Sequence, residues 1–160
     1  MTPQRLLLTI GVPLGVLMAM LLPAWTGYDE MTHFARAVDM ATGVPVPEAT
    51  DRGVGSVIPA TYVEGVNLVI LNFQAGNDPW TMSLTGDLLA MGPDGRSVYV
   101  DTRPTGASTP LPYIPAATAM VIPVHVDASG VIVLWAGRLG SLAAYLALAW
   151  AAVRSAARFR

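Results

Sequence analysis

The sequence predicts a mainly α-helical membrane protein in which two transmembrane helices flank an extracytoplasmic loop carrying two juxtamembrane helices and a small irregular β-containing cap. Three observations carry that expectation. Charged residues are 12% of the 160-residue chain and apolar residues 53%, with a mean hydropathy of +0.51, whereas an ordinary soluble domain is about 25% charged. The longest apolar runs lie near the two ends. The charges are sorted as well: all eleven acids lie between those runs with four Arg (36, 52, 96 and 103), leaving the middle at −7, while the flanks hold five Arg and no acid.

Residues 1–24 read as the N-terminal transmembrane helix. The run from Leu6 to Ala24 is broken only by Thr9, Gly11, Pro13, Gly15 and Pro23, which suits the ~20 residues a span needs. Arg5, an apolar stretch and small residues near Ala24 also fit a cleaved signal peptide, but the run is longer than a signal peptide's and Pro23-Ala24-Trp25 makes a poor cleavage site. Residues 131–153 read as the second span, with Arg138 its single charge, and 154–160 as an Arg-rich tail (Arg154, Arg158, Arg160). The positive-inside rule then puts both termini in the cytoplasm and the acidic stretch 25–130 outside.

Within the loop, residues 28–41 have good helix formers and no Pro or Gly, with Asp29 and Glu30 where a helix dipole favours acids. This is the first juxtamembrane helix. Residues 44–112 are dense in Gly, Pro, Asp and Thr, and Val66–Leu71 and Ser97–Val100 read as short β-branched runs between turn signals. Gly92-Pro93-Asp94-Gly95 is the clearest turn, placed to join Met82–Met91 to the following strand. Residues 113–127 are apolar but too short to span, with Pro115 and Pro123 near their ends. They read as an interfacial or re-entrant helix, since a crossing would put the Arg-rich terminus outside.

Few residues can carry chemistry. On a helix Asp29, His33 and Arg36 share one face, with Glu30 about 100° away. A carboxylate with a neighbouring His and Arg at a membrane surface can serve as a general base, bind a metal or hold a phosphate. The alternative is a helix start whose acids cap it and whose His and Arg meet water or headgroups. Arg138 lies about five residues inside an apolar helix, where a charge lines a cavity or snorkels to the headgroups. Trp25, Tyr28, Trp135 and Tyr145 read as interfacial or packing aromatics. His125 and Asp127 point apart on a helix, and no metal-ligand spacing is present. The absence of Cys excludes thiolate chemistry and disulfides. Phosphate-loop, dinucleotide and G-x-S-x-G patterns are missing, and no basic patch suggests nucleic acid. The lack of Lys, with abundant Ala, Gly and Val, suggests a high-GC bacterial source.

The order of short motifs resembles a known family. Pro23, Gly27, Asp29, Glu30, His33, Phe34, Arg36 and Ala37, then Leu111-Pro112-Tyr113-Ile114-Pro115, then Gly137-Arg138-Leu139, are similar to the N-terminal part of bacterial multi-pass proteins of the GT-C glycosyltransferase superfamily. They are most similar to a branch of predicted membrane proteins of unknown function. The resemblance covers both ends of the chain and leaves roughly Val44 to Ser108 unmatched. It implies transfer from a polyprenyl-phosphate-linked sugar in the bacterial cytoplasmic membrane. Asp29, Glu30 and His33 would be the catalytic cluster, with Asp29 the acid/base. Arg36, Tyr113 and Arg138 would contact substrate, Arg138 near the donor phosphate. No cofactor is assigned, although a divalent metal is compatible with the resemblance. Partners are the lipid bilayer, the lipid-linked sugar and a chain supplying further helices, because family members have many more spans than two. The expectation is thus an N-terminal segment, a split gene or a degenerate copy, inactive without the remaining helices. The second expectation is a non-enzymatic small membrane protein presenting an acidic outer domain for envelope assembly or interaction.

Overall fold

The computed structural model describes residues 2–25, 27, 29–51, 53–77, 81–103 and 109–156. It is mainly helical with one small sheet. In chain order the described elements are α1 (Pro3–Leu21), α2 (Glu30–Ala41), β1 (Glu48–Thr50), β2 (Gly53–Pro59), α3 (Ala60–Gln74), α4 (Met82–Ala90), β3 (Ser97–Asp101), a 3-10 turn (Leu111–Tyr113), α5 (Ile114–His125) and α6 (Gly130–Ala156). Among them α1 and α6 are long and apolar enough to cross a bilayer.

α1 starts where the Thr2 hydroxyl accepts the Arg5 amide, with Pro3 at its first position. It ends as Leu22 turns extended ahead of Pro23. Gly11 and Gly15 let α6 come close: a Cβ on Gly11 would sit 3.0 Å from Leu146, and one on Gly15 2.5 Å from Leu142. The contacts step by four residues in opposite senses on the two helices. This antiparallel ladder places Ala19 opposite Arg138, so 19-residue α1 matches the C-terminal part of α6 and the first two turns of α6 extend beyond it. Small residues on such a seam are the usual way apolar helices approach in lipid.

α5 packs along those first turns of α6. At 12 residues it is ~18 Å long, short of the ~30 Å hydrocarbon core. The fit is close, since a Cβ on Gly140 would lie 2.4 Å from the Pro115 carbonyl oxygen. The α5–α6 turn is closed by the Ala128 amide donating to the Pro123 carbonyl (2.9 Å), with Asp127 at φ +53°.

The segment between α2 and α5 differs from the sequence expectation. Val66–Leu71, read as a β-branched run, lies inside α3. Thr61, Tyr62, Gly65, Val66 and Val69 are its buried positions, and that three-and-four spacing makes one helical face, so tertiary packing overrides local β-propensity. Met82–Ala90 is helical too, its start capped by the Thr81 hydroxyl accepting the Leu84 amide at 3.2 Å. Ser97–Val100 is a strand as expected, and Gly92–Gly95 leads into it, with Gly95 at φ +83°. The sheet is antiparallel in the order β1-β2-β3, pairing Glu48 with Gly55 and Val57 with Tyr99.

The core lies between α2, α3, α4, β2 and the first turns of α6, and includes Phe34, Val38, Ile58, Tyr62, Val69, Leu84, Val131 and Val133. Trp25 is buried and meets Phe34 edge-to-face at 6.1 Å, while Phe34 meets Tyr62 at 5.7 Å. Trp25 is therefore a packing aromatic. Fully burying a side chain of this kind contributes ~2–3 kcal/mol, which ties the end of α1 to the cap. Tyr145 is exposed, and Tyr28 lies outside the described residues.

Candidate functional site

The site begins with a problem that α1 creates. Its last carbonyls have no partners within the helix, and Pro23 stops the chain from continuing to supply them. Arg138 reaches across from α6. Its Nη1 donates to the carbonyls of Ala19 (3.1 Å) and Leu22 (2.7 Å), and its Nη2 to that of Pro23 (3.0 Å). Its Nε and Nη2 both donate to Glu30 Oε1, at 2.9 and 2.6 Å. All five guanidinium N–H donors are thereby engaged. One side chain joins the end of α1, the start of α2 and α6. Arg138 also lines a cavity. It is a cap and an ion-pair partner at once, with side-chain exposures of 15% for Arg138 and 20% for Glu30.

Glu30 Oε2 is buried and accepts no hydrogen bond. The residue borders a largely apolar cavity of about 940 Å³ between α1, α2, α5 and α6, walled by Met18, Leu22, Phe34, Met120 and Leu134 among others. Its polar lining comes from Glu30, His33, Tyr113, Arg138 and Ser141. His33 Nδ1 and the Tyr113 hydroxyl are 2.8 Å apart, and the two rings stack at 5.7 Å. α2 supplies Glu30 and His33 one turn apart, and the 3-10 turn before α5 delivers Tyr113.

The remaining candidates are placed differently. Asp29 is the N-cap of α2, is exposed, makes no side-chain capping bond and does not line the cavity. Arg36 is buried on the far side of Tyr113. Its guanidinium donates to the carbonyls of Val44 (3.5 Å) and Pro45 and lies 5.9 Å from the Tyr113 ring centre. Four of the six sequence candidates, Glu30, His33, Tyr113 and Arg138, thus share one cavity, with Arg36 behind it and Asp29 outside.

Among the described residues no group of three or more His, Asp or Glu is placed to hold a metal. Glu30 Oε1 is engaged by Arg138 and His33 Nδ1 by Tyr113. His125 Nδ1 donates to the Val121 carbonyl of its own helix (2.8 Å), apart from the cavity. Ser141, Met18 and Met120 were not legible as cavity residues. Ser141 alone carried a signal, lying three residues after Arg138 on the same helix face.

No curated protein and no solved structure gives a significant match to the chain. The family model described as Predicted membrane protein (DUF2142) matches residues 13–160, which include the C-terminal half of α1, α2, the cavity residues and the whole of α6, and the chain belongs to that family of membrane proteins.

Proposed function

We propose that the chain is the N-terminal, catalytic-loop segment of a GT-C-like integral membrane glycosyltransferase that uses a polyprenyl-phosphate-linked sugar, working with further helices from the same or another polypeptide. The observation that carries this reading is the amphiphile-shaped cavity at the outer end of the α1–α6 pair, apolar along its walls and polar where Glu30, His33, Tyr113 and Arg138 meet. A lipid-linked sugar has the same division. In this reading α1 and α6 cross a bacterial cytoplasmic membrane with both termini inside, in keeping with the sorting of Arg and acids along the chain.

Asp29, uncommitted at the start of α2, takes the proton of the acceptor hydroxyl as the anomeric carbon is attacked. The Glu30–Arg138 pair holds the N-terminus of α2 against α1 so that Asp29 and His33 stay in place. His33 and Tyr113 offer hydrogen bonds to the sugar or phosphate. Arg138 meets the leaving phosphate by exchanging one of its α1 carbonyls for a phosphate oxygen. The test is transfer of labelled sugar in membranes of cells producing the chain from its own locus. Removal of a general base costs ~10²- to 10⁴-fold, so Asp29→Asn should lose transfer at that level with unchanged abundance. Transfer equal to the parent would remove Asp29 from the mechanism.

One observation favours a second reading. Because every donor of Arg138 already has a protein acceptor, the cluster is also complete as a purely structural clasp. The chain would then be a non-enzymatic membrane protein presenting its acidic outer domain for envelope assembly. Deletion of the locus that leaves lipid-linked sugar consumption unchanged while altering the recovery of an envelope complex would support this reading over the first.

A further inference from the structure

The cap has an apolar edge that its core does not use. The last turns of α3 expose Ile70, Leu71 and Phe73, the start of α4 exposes Met82 at 90%, and Leu89 is exposed on the same helix. From Gly65 to Asn77 the sequence has no charged residue. A helix facing water normally carries charge on its outer side. The charged side chains of the neighbouring turn and strand, Asp94, Arg96, Asp101 and Arg103, pair with one another at the surface instead.

The same two helices are seated on the ends of the long apolar pair. The Tyr62 hydroxyl donates to the Ala128 carbonyl at 3.1 Å, just before α6 begins. A Cβ on Gly65 would lie 3.3 Å from both Leu88 of α4 and the ring of Trp25, four residues beyond α1. The buried ring of Trp25 thus joins α3 to the end of α1, where Leu21 and Leu22 are exposed. Neither α3, with 15 residues, nor α4, with 9, is long enough to cross: they measure ~22 and ~14 Å against ~30 Å.

We propose that the C-terminal half of α3 and the start of α4 sink into the outer leaflet, as a non-spanning anchor beside the two crossing helices. The partner is the acyl and headgroup boundary of the bilayer. Because α3 and α4 carry no basic residue, the attraction is apolar burial and does not depend on anionic lipid. The inference rests on α1 and α6 crossing the membrane and is independent of any transfer reaction.

The chain has no cysteine, so single nitroxide labels can be placed by Phe73→Cys and Met82→Cys, both at exposed positions that the core does not need. Leu14→Cys on α1 and Asp94→Cys in the turn provide lipid and water references. In phosphatidylcholine proteoliposomes, labels at 73 and 82 should collide with oxygen several-fold more, relative to a water-soluble nickel chelate, than the label at 94. Adding anionic lipid should leave that ratio unchanged. A ratio equal to that at 94, or protection from both reagents as under a protein partner, would overturn the anchor. A label at 14 open to the nickel chelate would overturn the crossing of α1, and the anchor with it, which is a separate result.

Discussion

The two parts of α6 are held by different forces. In its first eight residues Gly130, Val131, Val133, Leu134 and Gly137 are buried under α3, α4 and α5. In the 19 that follow, Leu146 is the one buried residue among those described, and Tyr145 and Leu148 are exposed. The first part is an ordinary core helix, stabilised by removing apolar surface from water. The second part buries little and meets α1 through the close fit of Gly11 and Gly15 against Leu146 and Leu142. Arg138 stands at the change from one regime to the other. An unbroken apolar helix in sequence can therefore be two structural pieces, and the polar residue inside it marks the joint.

The largest effect is expected at that joint. Arg138→Met leaves Glu30 unpaired and the α1 carbonyls uncapped, and removing one partner of a largely buried pair costs ~3–5 kcal/mol. Reversible unfolding in mixed micelles should report it. Arg138→Lys should recover little, because an ammonium has three donors and no planar fork, whereas Arg138→Met combined with Glu30→Gln should recover part of the loss. If the single variant is as stable as the parent, the joint is not a joint.

Next comes the packing of α5 against α6. Gly140→Ala would push a methyl toward the Pro115 carbonyl oxygen, 2.4 Å from the new Cβ, and overpacking against backbone costs ~1–3 kcal/mol, less the ~1 kcal/mol that Ala gains over Gly in a helix. Gly137→Ala meets the flexible end of Met120 at 2.2 Å and should be close to neutral. Equal losses at both sites, read from thermal unfolding, would show that α5 fits α6 less closely than this.

A smaller effect appears at alkaline pH and only in the outer part. Burial, with a contribution from the Asp127 charge, raises the Tyr62 phenol from 10.0 to about 12. The folded state therefore holds this proton more tightly than the unfolded chain. The associated stability is complete below pH 10 and is lost as pH rises from there toward 12. Tyr62→Phe should flatten that part of the pH profile while losing the hydrogen bond to Ala128, worth ~1 kcal/mol. The smallest effect belongs to Arg103, whose surface pair with Asp101 depresses that carboxyl. Arg103→Ala should leave the melting temperature unchanged while returning the Asp101 carboxyl toward its ordinary range by NMR titration.

Much of the helical frame was legible because its signals are local. Pro23 ends α1, the acids of 29–30 open α2, and Pro115 sits in the first turn of α5. α3 was not legible, since Val66, Val69 and Ile70 favour strands locally, and the segment is helical through the burial of one face, Tyr62, Val66 and Val69, in the core. The site was legible as residue types but not as roles. Spacing grouped Asp29 with His33 and Arg36, yet it is Glu30, not Asp29, that joins His33 at the cavity. Nothing in the spacing of Arg138 reveals that its partners are backbone carbonyls more than a hundred residues earlier. Local sequence does not encode such contacts.

That separation bears on the order of assembly. The Leu22 carbonyl is 116 residues before the guanidinium that caps it. At the ~5–20 residues per second of synthesis, roughly 6–23 s separate α1 from the residue that caps it. During that interval the surrounding solvent must satisfy the end of α1. The antiparallel pair is consequently a late product, closed when the second helix arrives, and any factor that shields a lone α1 acts in that window.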